Sequence, residues 1–139
     1  MAASYVKYTA AVEPLLEAIN CGSDTWKIAL ALTINAADTS FVGGTTDLGT
    51  GGGYTQGGNT AAVSSATQTA GTYKLVLSAP ALWTASAGGF TFRYVILYNF
   101  TNLIPVAYWD YGSSVVMSGA NADTFTFTPD GSAGVFQVT

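Results

Sequence analysis

The chain has 139 residues, of which 49% are hydrophobic and only 9% are charged. Ordinary globular domains carry about 25% charged residues, so we expect a surface that is rich in Ser and Thr or covered by neighbouring subunits. The four basic residues are scattered singly in a chain of net charge −4. This pattern excludes the basic stripe that nucleic-acid binding requires, and it disfavours anionic membranes as partners.

A chain of this length is expected to form a single domain over residues 1–139. Cys21 is the single cysteine, so no internal disulfide is expected. The N-terminus lacks the uninterrupted apolar segment of a signal peptide, and the longest apolar runs are far too short to span a bilayer. The sequence therefore predicts a protein that folds in a reducing cytoplasm.

Residues 10–21 are predicted to form one short N-terminal helix. Pro14 fits a first helical turn, and Gly22 could end the helix in the left-handed conformation. A strand interrupted by Pro14 is the alternative. The apolar side chains that recur at helical spacing are Val12, Leu15, Leu16 and Ile19.

The next segment, TWKIALALTI, alternates as a strand does. One face would carry Trp26, Ile28, Leu30 and Leu32, and the other Lys27, Ala29, Ala31 and Thr33.

Residues 43–60 contain eight of the sixteen glycines in the chain. Glycine at this density weakens helices and central strands, so the sequence predicts a long loop. Because glycine raises the entropy of a free loop, we expect this one to be mobile until a partner orders it.

The rest of the chain is a series of predicted strands, separated by glycine-rich turns. This pattern predicts a mainly β protein, an antiparallel β-sandwich or a jelly-roll-like barrel. The PDGSAG turn is predicted to join the last two runs in a hairpin. The runs are residues 72–78, residues 90–99, IPVAYWDY from near Pro105, SSVVMS, DTFTFT and GVFQVT.

Few residues of this sequence could act as catalytic groups. Histidine is absent, which removes the Ser-His-Asp and Cys-His arrangements and zinc sites built on Cys and His. The glycine-rich segment lacks the Gly-Lys-Ser/Thr of a phosphate loop, and Asp47 alone does not make a calcium loop. Among the carboxylates, Asp110 stands out because aromatic residues surround it. We therefore expect no enzyme activity, no cofactor and no metal.

The stretch YWDYGSSV, residues 108–115, is the most distinctive of the chain. On a strand, Tyr108 and Asp110 would share one face, while Trp109 and Tyr111 would share the other. Large aromatic residues serve both sugar stacking and protein interfaces, and the low charge favours the interface. Asp110 would then accept hydrogen bonds from the following turn or pair with Arg93 or a lysine. The interface candidates are Trp109, Tyr111, Tyr54, Tyr108 and Trp83.

Several stretches resemble small virion proteins of tailed bacteriophages, and the resemblance covers most of the chain from Asp24 onward. They are DTWKIALA, GGGYTQGG, GTYKLVLSAPALWTASAGGFTFRYVILYN, YWDYGSSV and the ending DTFTFTPDGSAGVFQVT.

The resemblance implies a structural virion protein, made in the host cytoplasm and placed on the capsid surface, where it decorates and stabilises the shell. Its partners would be the major capsid protein and further copies of itself, as a dimer or trimer. A tail or fibre component that contacts host glycans through Trp109 and Tyr111 is the alternative. A small carbohydrate-active enzyme that uses Asp110 is a third hypothesis.

Overall fold

The structure is a computed structural model that describes residues 3–139. Its centre is a five-stranded antiparallel sheet in the order β1-β8-β7-β2-β3. The strands are β1 (Ser4–Lys7), β2 (Trp26–Ala31), β3 (Asn59–Ala61), β7 (Phe90–Asn99) and β8 (Ile104–Met117).

Two smaller antiparallel sheets accompany the central one. Strands β4 (Val63–Thr69), β5 (Thr72–Leu77) and β10 (Phe136–Val138) form a three-stranded sheet in the order β10-β5-β4. Strands β6 (Trp83–Thr84) and β9 (Thr124–Phe125) form a two-stranded ribbon. The predicted mainly β fold is confirmed, and the arrangement of sheets is consistent with a sandwich.

The two final β runs do not form the hairpin that the sequence predicted. β9 pairs with β6, whereas β10 pairs with β5. The predicted turn between them nonetheless forms, since Asp130 accepts hydrogen bonds from the backbone amides of Ser132 and Ala133 at 2.7 and 2.8 Å. A well-formed turn thus separates two strands that belong to different sheets.

The α-helix is shorter than the predicted residues 10–21. Helix α1 spans Val12–Glu17, a 3₁₀ turn over Thr9–Ala11 precedes it, and no residue of α1 is buried. Gly22 has no positive φ and does not cap the helix. Of the four spaced apolar residues, Leu15 and Ile19 are half-buried and pack against the core, whereas Val12 and Leu16 are exposed.

Both faces of the central sheet are covered around β2 and β7. The prediction that β2 has one apolar face is incomplete, because Ala29 and Ala31 are as fully buried as Trp26 and Ile28. On one face Trp26 lies against Phe136 of the smaller sheet, with ring centroids 6.3 Å apart. On the other face Phe41 stacks on Tyr98, with centroids 3.7 Å apart and planes 2° from parallel.

The glycine-rich segment, residues 43–60, is packed within the single chain rather than mobile. Its Tyr54 is 1% exposed and Asp47 is 6% exposed. A Cβ atom on Gly58, whose φ is +68°, would lie 1.9 Å from the carbonyl oxygen of Ile28, and one on Gly52 would lie 1.8 Å from that of Gly89. Glycine serves here for close approach between backbones.

The segment also covers the β3 side of the central sheet. The backbone amide of Leu30 donates to the Tyr54 hydroxyl at 3.2 Å, and the carbonyl of Leu30 accepts from the Leu48 amide at 2.9 Å. This edge of the sheet is thus protected beyond the end of the short strand β3.

Candidate functional site

An open groove of about 870 Å³ lies on the central sheet, on the side where β1 and β10 approach one another. We call it the aromatic groove. Its floor comes from β1 and β8, and its wall comes from residues 127–137. The lining residues with rings or charges are Tyr5, Lys7, Trp109, Tyr111, Phe127, Asp130 and Phe136.

Strand alternation and pairing register place Trp109 in this groove. Trp109 lies opposite Tyr5 in the β1–β8 ladder, so the two side chains share a face of the sheet. Their ring centroids are 5.4 Å apart at an angle of 65°, and Phe127 contacts the indole at 4.7 Å. Trp109 thus packs against the N-terminal strand and against the segment after β9.

Tyr111 enters the groove at an irregularity in β8. Residues 111–114 stand opposite the single residue Arg93, because Phe92 pairs with Val115 and the next pair is Tyr94 with Asp110. Gly112 has a φ of +80°, which permits this bulge. The predicted Gly-Ser-Ser turn is thus a bulge within one long strand. Tyr111 packs edge-on against two rings there, Phe92 at 5.9 Å and Phe125 at 6.0 Å.

Asp110 lies outside the groove and pairs with Arg93. The guanidinium donates through Nε to Oδ1 at 2.8 Å and through Nη2 to Oδ2 at 2.9 Å, and the Gly112 amide donates to Oδ1 at 2.7 Å. These donors, Arg93 first, lower the pKa of Asp110 below its ordinary value. The prediction that Asp110 binds a nearby amide or Arg93 is confirmed in both parts, and its charge is neutralised by its partner.

The other aspartates are also held by hydrogen bonds of the fold. Asp24 accepts from the Asn20 amide and the Asn99 side chain, and Asp38 accepts from Asn35. Asp123 accepts from the Ser118 amide. In the groove wall, the Ala133 and Ser132 amides lower the pKa of Asp130. With Asp47 and Asp110, every aspartate of the chain accepts at least one such bond.

The five predicted interface residues divide into three groups. Trp109 and Tyr111 line the groove. Tyr108 lies on the opposite face, edge-on to Tyr8 and Tyr94. Tyr54 and Trp83 lie in the core, at 1% and 3% exposure, because the interior takes up their large apolar rings. They are therefore not available at the surface.

Three rings of the groove were not predicted from the sequence: Tyr5, Phe127 and Phe136. Tyr5 precedes the predicted helix, yet Tyr5 and Val6 are residue types that favour strands and could have signalled β1. Phe127 and Phe136 flank the final turn. Their position in one groove depends on the separate pairing of β9 and β10, which no local pattern reveals.

Within residues 3–139, no cluster of three or more Cys, Asp or Glu side chains is placed to hold a metal ion. In the same part of the chain, no helix is long and apolar enough to cross a membrane.

Comparisons with protein families, with curated proteins and with solved structures find no match to this chain.

Proposed function

We propose that the protein is a structural virion component of a tailed phage that decorates the capsid shell and binds between capsid subunits. The observation that carries the proposal is the contrast between the aspartates and the aromatic rings. Every aspartate is held by hydrogen bonds of the fold, while half-exposed rings gather in one open groove. Such a surface is suited to binding a protein partner.

The aromatic groove is the proposed contact with the major capsid protein. Tyr and Trp are enriched at protein interfaces because they are large, rigid and polar at one end. Trp109, Tyr111 and Tyr5 offer such rings at an edge of the molecule with few charges nearby. The chain as a whole has only 9% charged residues, which suits a surface that the shell covers.

Stabilisation of the shell would follow from mass action. A protein that binds only the assembled shell lowers the free energy of that state. A copy that bridges two capsid subunits makes two contacts at once, so modest contacts sum to firm attachment.

The test is to add the purified protein to capsid shells that lack it and to measure bound copies and resistance to heat. We expect saturable binding at symmetric shell positions and a higher temperature of shell rupture. Tyr111→Ala should weaken binding, whereas Phe100→Ala, which removes an exposed ring outside the groove, should not. Absence of binding, or equal loss in both variants, would refute the proposal.

Contact with host glycans, as a tail or fibre component, is the second candidate. The observation that favours it is the set of rings beside the polar side chains of Lys7 and Gln137, which together could stack and hydrogen-bond a sugar. Titration of tryptophan fluorescence with host-cell glycans tests this function, with Trp109→Phe, which keeps Trp26 and Trp83, as the control. Few copies per particle, located on the tail, would select it over decoration.

A carbohydrate-active enzyme that depends on Asp110 has less support. Asp110 is bound to Arg93 and does not line the groove. Its lowered pKa also disfavours the proton-donating form that a general acid requires.

A further inference from the structure

The outer edge of β1 carries backbone groups that the described chain leaves unpaired. β1 is the last strand of the central sheet, and all four of its residues are exposed. The opposite edge of the same sheet is covered by the glycine-rich segment at Leu30. The β3 side is thus covered at Leu30, whereas the β1 edge is open.

The hydrogen bonds that follow β1 show which residues point outward. The Tyr8 amide donates to the Val106 carbonyl of β8 at 2.9 Å, whereas the Thr9 amide points away from β8 and donates to the Ala36 carbonyl at 3.1 Å. In an antiparallel strand, the backbone N–H and C=O groups of successive residues point alternately toward the neighbouring strand and away from it. Ser4 and Val6 therefore bond to β8, and the N–H and C=O groups of Tyr5 and Lys7 point outward. No backbone group within residues 3–139 pairs with them.

We propose that this edge binds β1 of a second copy of the chain, antiparallel about a two-fold axis, so that the two central sheets become continuous. Centring the axis on Val6 pairs Tyr5 of one copy with Lys7 of the other, twice by symmetry. The outward groups of both residues then meet their complements, and the two Val6 side chains, each 37% exposed, cover one another. This inference does not rest on the proposed function, although both assign a contact to the Tyr5 ring.

The charge of Lys7 favours a second copy of the chain as the partner, and it favours this pairing register over others. A lysine on an edge strand usually discourages pairing, and a register that sets Lys7 opposite Lys7 would bring like charges together. With the axis at Val6, each ammonium group instead faces the Tyr5 ring of the other copy, which is a favourable cation–π arrangement. The edge is therefore complementary to itself in this register.

The β4 edge fits less well. The outer strand of the smaller sheet, β4, has an irregular register between Val63 and Ser65, and such bulges interrupt strand addition. The β1 edge is short, so the dimer should be weak, with a Kd of about 10–100 μM.

The pairing of Lys7 with Tyr5 of the other copy can be tested by changing the charge at position 5. The two variants used both lose the Tyr5–Trp109 contact, so they differ chiefly in charge. Tyr5→Lys places ammonium groups opposite Lys7 of the other copy and should raise the dimer Kd about tenfold or more, whereas Tyr5→Glu places carboxylates there and should preserve the dimer. The double variant Tyr5→Lys/Lys7→Glu should restore it. Sedimentation equilibrium from about 1 μM to about 1 mM measures the Kd of each.

Amide hydrogen exchange supplies an independent readout on the unaltered chain. The Tyr5 and Lys7 amides should gain protection as concentration rises, while the Val6 amide, already bonded to β8, should not change. A protein that stays monomeric at the highest concentration overturns the proposal. A dimer that is indifferent to Tyr5→Lys, or that protects other amides, also overturns it.

Discussion

The Tyr54 hydroxyl donates a hydrogen bond of 2.5 Å to the Asp47 carboxylate inside the glycine-rich segment. The backbone amides of Gly44 and Gly57 donate to the same carboxylate at 2.7 and 2.6 Å. Within the described chain, three donors thus satisfy a buried carboxylate that has no cationic partner. Burial raises the pKa of Tyr54, and the bond to Asp47 raises it further, so the hydroxyl remains a donor. This cluster holds a segment that contains half of the glycines.

Tyr54→Phe should therefore destabilise the protein by about 1–3 kcal/mol, because Asp47 and the Leu30 amide each lose a partner in the interior. Tyr8→Phe is the matched control. The Tyr8 hydroxyl is buried and has no partner within residues 3–139, so its removal should be neutral or stabilising. Urea unfolding of both variants measures the difference, and equal losses would contradict the role of the cluster.

Gly58→Ala should cost about 3 kcal/mol or more, because the site combines a left-handed backbone with a clash against Ile28. Gly49→Ala tests the same substitution in the same segment, at a site with no atom within 4 Å of the added Cβ and no positive φ. It should stay within about 0.5 kcal/mol of the unaltered protein. Thermal unfolding of the pair checks this, and similar melting temperatures would show that the segment is loose.

The Arg93–Asp110 pair should contribute stability that depends on pH. The folded-state pKa of Asp110 lies below its ordinary value of 3.8, so the unfolded chain takes up this proton first as the pH falls. The contribution is present above pH 3.8 and is lost as the pH falls through the folded-state pKa. Asp110→Asn and Arg93→Gln should each flatten the acid limb of a plot of stability against pH. If both variants lose stability at acid pH as steeply as the unaltered protein, this contribution is excluded.

Trp109→Ala should destabilise the fold by about 2–3 kcal/mol, less than the loss of a fully buried tryptophan, because the indole contacts Phe127 and Tyr5 at the groove. Asp110→Asn should cost less at neutral pH and leave shell binding intact. Urea unfolding and shell binding report the two effects. An Asp110→Asn protein that folds and binds shells, but fails to attach to host glycans, would favour the glycan-binding function instead.

The strands were the most predictable part of the fold. The period-two pattern of residues 90–99 matches β7, and the predicted strand over residues 72–78 is one residue longer than β5. The N-terminal helix was less predictable. Val12 and Leu16 have helical spacing but stay exposed, while Leu15 and Ile19 are half-buried against the core, so the spacing predicted a longer helix with a wider packed face than α1 has.

The sequence by itself determined the mainly β class and the lack of histidine chemistry. It also determined that Trp109 and Asp110 lie on opposite faces of their strand, because alternation along a strand is a local property. The tertiary structure alone decided the rest. Pairing joins residues far apart in sequence, so DTFTFT and GVFQVT could join different sheets although one turn links them. Likewise, glycine permits both mobility and close backbone contact, and only the carbonyl of Ile28 beside Gly58 shows which of the two this chain uses.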